Sequence, residues 1–170
     1  RHLKELEWDD CISKLKALIQ DEYIKHKYLL EGIVLSDEEK GYYEKILKLN
    51  ANKGELENSL GKLLIFLSRY YKKQVVILID EYDTPVHAGF MYNYYDQVIN
   101  FMRNFLCAAL KDTDQYLEKS VLTGLMRIAK ESIFSDIENP GVYTLVRDEF
   151  SDKFGFTENE VQALLSQYKL

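Results

Sequence analysis

The apolar run Val75–Ile79 is the strongest feature of the hydrophobic pattern, and it leads directly into the acids Asp80, Glu81 and Asp83. No polar residue alternates through the run, which is typical of a strand buried on both faces in a parallel sheet covered by helices. Open α/β sheets bind their ligands at the carboxyl ends of the strands. The pattern therefore predicts that these carboxylates serve chemistry more than packing.

Helical spacing dominates the chain before this strand. Apolar residues three and four positions apart predict amphipathic helices over Trp8–Tyr23 and Leu56–Tyr71. Ser36 and Glu39 have the spacing of a capping box, so a further helix is expected to begin there. The segment Tyr28–Val34 fits either a loop or a short strand.

The chain after the acids gives loop, helix and strand signals in turn. Thr84–Gly89 contains a proline and a glycine, which predicts an irregular loop. Tyr92–Leu110 returns to helical spacing, and Lys119–Leu122 fits a second short buried strand that ends at Thr123. Two strands that are each followed by a loop and are separated by a helix indicate a parallel α/β sheet.

The pattern becomes looser towards the carboxyl end. Ile133–Phe134 and Val142–Val146 fit short strands, with a turn between them at Asn139–Gly141. Thr157–Glu160 has the spacing of another capping box, and a last helix is expected to follow it.

Composition bounds the class of protein. The 170 residues are 46% apolar and 13% aromatic, which is enough core material for one domain. The net charge of -6 gives no general basic field that would attract nucleic acid or an anionic membrane. Cys11 and Cys107 lie within helical patterns and are interpreted as small buried hydrophobes, which suits a reducing cytoplasm. With no apolar run of roughly 18 residues and no signal peptide, we expect a cytoplasmic protein and no membrane partner.

The acids at the end of the first strand have the arrangement known as Walker B in P-loop nucleotide hydrolases. In such a site Asp80 would hold Mg²⁺ beside the nucleotide phosphates, because a hard cation prefers carboxylate oxygen. Glu81 would orient the attacking water, and Thr123 would reach the γ-phosphate or that water as a hydrogen-bond sensor. The spacing alone also fits solvated acids at the end of a strand in an unrelated α/β protein.

Other polar residues near the acids have simpler interpretations beside the functional one. Asp83 could be a second metal-site acid, although an acid before a proline-containing loop more often caps a turn. Arg127 could contact phosphate through its guanidinium or form a surface salt bridge. Arg147 is a weaker candidate of the same kind. His87 has no second histidine or cysteine at ligand spacing, which favours a loop histidine over a metal ligand.

Three segments carry a more specific signal than the acids alone: Ile79–Pro85, Tyr94–Asn104 and Leu122–Ser135. Together they resemble the AAA-ATPase-like family of prokaryotic P-loop proteins, and weaker similarity extends over most of the chain. The resemblance implies a helix-rich α/β fold of the P-loop NTPase-like, AAA type, with a three-layer parallel sheet.

The same resemblance implies functional residues and partners. It assigns Asp80 to magnesium, Glu81 to water activation and Thr123 to the sensor position, and it adds weight to a phosphate or nucleotide contact for Arg127. The implied cofactors are ATP and Mg²⁺. Proteins of this family often carry a nuclease-like domain of the PD-(D/E)XK type at the carboxyl end.

The sequence departs from the family in one respect. It contains no glycine-rich GxxxxGK[ST] phosphate loop, and Gly61-Lys62 is followed by Leu63 inside the predicted leucine-rich helix. The chain also begins at Arg1 rather than methionine, so we expect an amino-terminally truncated piece whose phosphate loop lies before Arg1. Without that loop the chain alone should bind ATP poorly and hydrolyse none.

We therefore expect a single AAA-ATPase-like domain fragment over residues 1–170. It would comprise a helical region at 1–74, the Walker B and sensor strands with their connecting helix at 75–146, and the start of a lid region at 147–170. The full-length protein would couple ATP hydrolysis to a partner domain or a homo-oligomer, and the role of nucleic acid is left open.

Two competing hypotheses come from other classes. In the first, the chain is a non-hydrolysing protein-interaction module on an AAA-like scaffold. In the second, Asp80, Glu81 and Asp83 serve a metal-dependent nuclease, although no lysine follows an acid with E-x-K spacing near the cluster.

Overall fold

The computed structural model of the chain describes residues 7–111, 113–125, 133–134, 141–144, 147, 149–153 and 155–168. The contacts between residues divide the chain into two compact units, 1–138 and 139–170. The first unit carries the sheet and the residues that sequence analysis selected, apart from Arg127, which lies outside the described residues, and Arg147, which belongs to the second unit.

Helices and two short strands make up the described part of the first unit. In chain order they are α1 (Trp8–Lys25), a 3-10 helix (Lys27–Leu30), α2 (Asp37–Leu47), α3 (Lys53–Glu57), α4 (Ser59–Tyr71), β1 (Val75–Ile79), α5 (Thr84–Met91), α6 (Tyr95–Leu110) and β2 (Leu117–Leu122). The second unit contains a 3-10 turn (Ser151–Lys153) and α7 (Glu158–Tyr168). None of the helices in the described ranges is both long and apolar enough to cross a bilayer.

Capping boxes fix the starts of several helices. At α2 the Glu39 amide donates to Ser36 Oγ over 3.2 Å, and the Ser36 amide donates to Glu39 Oε2 over 3.0 Å. At α7 the Glu160 amide donates to Thr157 Oγ1 over 3.3 Å. Both predicted boxes are confirmed. A third capping box, in which Asn52 begins α3, was not predicted.

The buried core of the first unit joins α1, α2, α4 and α6, and two of its tyrosine hydroxyls bond to backbone carbonyls. Tyr23 donates its hydroxyl to the Ser59 carbonyl over 2.8 Å, and Tyr43 donates to the Tyr23 carbonyl over 2.7 Å. These bonds let large phenols fill the core without a buried polar atom being left unpaired. Gly61 brings α4 against α6, because a Cβ at this position would overlap the Ala108 carbonyl.

The two strands form a parallel pair whose faces differ in burial. The register runs from Val75 opposite Leu117 to Ile79 opposite Leu122, with an irregularity after Val75. Ile77 is only 6% exposed and packs with Leu64 of α4 and Ala109 of α6. This packing fixes the position of β1, and with it the carboxyl edge of the sheet, relative to α4 and α6.

The opposite face of the sheet is open to solvent. Leu78 is 75% exposed, Val76 is 47% exposed and Val121 is 45% exposed. The prediction that β1 is buried on both faces is therefore wrong, because the described residues supply two strands and helices that cover one face only. The described chain is a helix-rich α/β structure with a small two-stranded parallel sheet.

The segment after the acids also differs from expectation. Thr84–Gly89 was predicted to be an irregular loop, but it forms most of α5. Pro85 lies in the first turn of this helix, where the missing N–H has no intrahelical partner to lose. Gly89 allows α5 to approach α6, since a Cβ there would lie 2.5 Å from Val98 Cγ1.

Several smaller predictions also changed. The helix predicted from Tyr92 begins at Tyr95, after Asn93 adopts a φ of 63°. Ile133–Phe134 is not a strand, because Ile133 is helical. Residues 142–144 have no regular structure, and 145–146 lie outside the described residues. Tyr28–Val34, whose sequence fits either a loop or a short strand, is a 3-10 turn followed by an irregular segment.

Candidate active site

Parallel pairing brings the ends of β1 and β2 together at one edge of the sheet. Asp80 directly follows β1, and Thr123 directly follows β2. The Thr123 amide donates to the Ile79 carbonyl over 2.9 Å, and the Tyr82 amide donates to the Thr123 carbonyl over 3.0 Å. The hydrogen bonding thus continues past the strands, and it holds the two polar side chains side by side.

The hydroxyl of Thr123 contacts both acidic residues of this edge. It donates a hydrogen bond to Asp80 Oδ1 and accepts one from the Glu81 amide over 3.3 Å. All three residues are exposed. The edge therefore presents a carboxylate and a hydroxyl oxygen to solvent, and the sensor role of Thr123 stays a prediction.

Glu81 has a backbone conformation that is unusual for its residue type. Its φ is 53°, in the left-handed region that favours glycine or asparagine. Such a conformation costs on the order of 1 kcal/mol or more and is found preferentially at functional sites. The hydrogen bond from the Glu81 amide to Thr123 Oγ1 helps to hold it.

Asp83 differs from the other two acids in being buried. It is 4% exposed, and its Oδ2 accepts a hydrogen bond from the Leu125 amide over 2.8 Å. Asp83 also occupies the N-cap position of α5, but its carboxylate makes no capping bond to that helix in the described structure. It is neither an exposed metal-site acid nor a turn cap, and it ties the two loops of the site together.

A family model described as Predicted AAA-ATPase matches residues 6–134 of the chain. The chain belongs to this AAA-ATPase-like family. The matched range includes β1, β2 and every residue of the edge described above.

A curated relative of this AAA-ATPase-like chain is the "Uncharacterized protein in vnfD 5'region" of Azotobacter chroococcum mcd 1. The two are 26% identical over 123 residues, which are 72% of this chain and 24% of that protein. The chain therefore spans about a quarter of the length of the relative it matches. No solved structure matches the chain.

The oxygen donors at this edge suit one type of metal binding. The described residues contain no group of three or more histidine, cysteine, aspartate or glutamate side chains arranged to hold a metal ion. Asp80 and Thr123 together offer one carboxylate and one hydroxyl. Mg²⁺ typically keeps several waters and binds one or two carboxylates plus substrate phosphates, so this donor set fits Mg²⁺ that is shared with phosphates.

A cavity of about 850 Å³ runs beside β1 in the AAA-ATPase-like chain and reaches the acids. Most of its lining is apolar and comes from α1, α4, α6 and β1, with Asp80, Glu81 and Tyr82 among the lining residues. Burial raises the pKa of the Tyr82 phenol, and the nearby charge of Asp83 raises it further. Tyr82 therefore stays neutral near pH 7, and its ring packs edge-on against Phe134 at 5.3 Å.

The remaining candidates of the sequence analysis lie elsewhere or are not described. His87 is exposed on α5 rather than in a loop. Arg127 lies outside the described residues, so its predicted contact with phosphate stays a prediction. Asp83 no longer supports the nuclease hypothesis, because its carboxylate is buried and accepts a hydrogen bond from the Leu125 amide.

Proposed function

We propose that the chain supplies the magnesium-binding and water-orienting residues of a MgATP-hydrolysing site of the P-loop type. One observation carries the proposal: the Thr123 hydroxyl bonds to both the Asp80 carboxylate and the Glu81 amide at the shared carboxyl edge of two parallel strands. Membership of the AAA-ATPase-like family supports it. In the complete protein, we propose that this edge belongs to a larger sheet with a P-loop NTPase-like fold.

The three residues take different roles in the proposed site. Asp80 binds Mg²⁺ through carboxylate oxygen, and the bound ion would neutralise charge on the nucleotide phosphates. Glu81 follows Asp80 with a left-handed backbone conformation. In the proposed site its carboxylate orients a water molecule and accepts hydrogen bonds from it. Thr123 keeps the Asp80 carboxylate in one orientation and can exchange that hydrogen bond for one to phosphate or water.

We propose that the groups that hold the β- and γ-phosphates come from another part of the protein. The sequence has no GxxxxGK[ST] loop, whose backbone amides and lysine perform this task in P-loop ATPases. The chain alone is therefore expected to bind MgATP weakly and to be inactive. We propose that in the full-length protein ATP hydrolysis drives a change in a partner domain or homo-oligomer, and a nuclease-like domain at the carboxyl end is one candidate partner.

A second candidate function is a non-hydrolysing protein-interaction module. The exposed apolar side chains of Val76, Leu78 and Val121 on one face of the sheet favour it. A phosphate loop encoded directly upstream of Arg1 would support the ATPase, whereas a native gene without one would leave the interaction module as the better account.

The magnesium requirement of ATP hydrolysis tests the proposal in the full-length protein. Asp80→Asn should raise the Mg²⁺ concentration for half-maximal turnover by about tenfold or more, because a carboxylate ligand becomes a neutral amide. Asp96→Asn is the matched control, since Asp96 is an exposed acid on α6. An Asp80→Asn protein with an unchanged Mg²⁺ requirement would remove Asp80 from the proposed site.

A further inference from the structure

The turn after β1 and the loop after β2 are joined by a contact that lies behind the exposed edge. Asp83 Oδ2 accepts the Leu125 amide over 2.8 Å, and the two residues are 42 positions apart in the sequence. Asp83 is 4% exposed, whereas Asp80, Glu81 and Thr123 face solvent. The Asp83 carboxylate is therefore shielded from solvent, unlike the three residues of the edge.

A buried carboxylate is costly unless strong hydrogen bonds compensate for its lost hydration. A backbone amide that donates to a charged oxygen forms a shorter and stronger bond than one between neutral groups. The bond from Leu125 to Asp83 therefore constrains the backbone that directly follows Thr123. In the turn after β1, Asp83 lies two residues after Glu81. The same carboxylate therefore also anchors the turn that contains the left-handed Glu81.

Gly124 makes this contact geometrically possible. A Cβ at Gly124 would lie 2.8 Å from Asp83 Oδ1 and 2.8 Å from Tyr82 Cε1. Carbon atoms do not approach this closely without displacement of a neighbour, so a side chain at position 124 would push the carboxylate or the Tyr82 ring aside. Lack of space for a Cβ, rather than a left-handed backbone, is what requires glycine here.

We propose that Asp83 is a positioning residue, whose buried carboxylate clamps the loop after β2 so that Thr123 meets Asp80 and Glu81. Asp83 does not itself touch nucleotide, metal ion or water in the reaction. Its effect on turnover rests on the proposed ATPase function, but its effect on the geometry of the edge does not.

The geometric part can be tested on this chain by amide NMR without any nucleotide. In Asp83→Ala the Leu125 amide loses its acceptor, and its hydrogen exchange should become about tenfold faster or more. The amide signals of Thr123 and Glu81 should shift with it, because the clamp holds them. Asp83→Asn keeps an oxygen acceptor at the same place and should restore most of the signals.

Gly124→Ala provides a second variant in case Asp83→Ala does not fold. It keeps the carboxylate but crowds it and the Tyr82 ring, and it should shift the amide signal of Glu81, which is not a sequence neighbour of position 124. Tyr43→Phe is the control for a general loss of stability, because it removes a buried hydrogen bond on α2 and should leave those signals unchanged. A shift confined to Leu125, with Thr123 and Glu81 as in the wild type, would overturn the positioning role.

Steady-state kinetics of the full-length protein test the consequence for turnover. Asp83→Ala should lower kcat by about tenfold or more with a KM for ATP close to that of the wild type, because misplacement of the edge affects the reaction more than binding. Asp83→Asn should recover most of kcat, and an Asp83→Ala protein with wild-type kcat would overturn the proposal. If the wild type hydrolyses no ATP, the proposed function fails, and the amide signals alone decide the positioning role.

Discussion

The hydroxyl of Thr123 donates a hydrogen bond to the carboxylate of Asp80 across two strands whose ends lie 43 residues apart in the sequence. The same hydroxyl accepts the Glu81 amide over 3.3 Å. One side chain thus connects the first acid with the backbone of the second, and it does so at the edge of the sheet where ligands of parallel α/β proteins bind.

Removal of this hydroxyl should impair turnover more than stability. Thr123→Val keeps the shape of the side chain but leaves Asp80 Oδ1 without this donor and the Glu81 amide without this acceptor. We expect kcat for ATP in the full-length protein to fall by about tenfold or more, as for the loss of other oriented catalytic hydrogen bonds. Thr123→Ser retains the hydroxyl and should recover most of the activity. Equal kcat in the valine and serine variants would contradict the sensor role.

Because the backbone of Glu81 is left-handed, glycine at this position should not destabilise the chain. Glu81→Gly should leave the free energy of unfolding of this chain unchanged or raise it by up to about 1 kcal/mol, because glycine adopts a φ of 53° without strain. Urea denaturation provides the measurement. Lys119→Gly on β2, opposite Val76, is the matched control and should destabilise by roughly 0.5–1 kcal/mol, since glycine weakens a strand interior. Equal destabilisation at both positions would argue against stored strain at Glu81.

Alanine should have opposite effects at Gly61, where α4 contacts α6, and at Gly41, which has open space around it on α2. Gly61→Ala should destabilise the chain by about 1–3 kcal/mol, because the new methyl group meets the Ala108 carbonyl and overpacks the helix contact. Gly41→Ala should stabilise it by up to about 1 kcal/mol, because no atom lies within 4 Å of the new Cβ and alanine favours the helix. Both values can be read from urea denaturation, and stabilisation by Gly61→Ala would rule out the close approach of the helices.

The exposed face of the sheet predicts self-association of this chain. Leu78 is 75% exposed on a strand with one hydrogen-bonded neighbour in the described structure, and such strands readily pair with other chains. Leu78→Thr should reduce the association seen by sedimentation at high concentration with little loss of stability. Ile77→Thr, on the buried face, should instead lower stability. A wild-type chain that stays monomeric at high concentration would contradict the expectation.

Much of the candidate site could be predicted because its determinants are local or follow a general rule. The unbroken apolar run predicted β1, and the capping pair Ser36 and Glu39 predicted the start of α2. The proximity of Thr123 to Asp80 followed from the rule that parallel strands bring their carboxyl ends to one edge. These features depend on residue type and spacing, which the sequence displays directly.

The features that escaped prediction depend on contacts between distant parts of the chain. An apolar side chain such as Leu78 does not reveal whether a second layer covers it. Pro85 marks a loop as readily as the first turn of a helix, and packing against α6 decides between them. The role of Asp83 depends on an amide 42 residues away, so no local pattern could indicate it.

The central claim, that Glu81 orients the water that attacks ATP, is tested most directly by Glu81→Gln in the full-length protein. Glutamine keeps the shape of the side chain but cannot accept a proton, so MgATP binding should persist while turnover falls by about a hundredfold or more. Glu118→Gln, an equivalent change of charge at an exposed position on β2, should leave both unchanged. Calorimetric MgATP binding together with loss of hydrolysis in Glu81→Gln is the predicted result, and wild-type turnover in this variant would contradict the account.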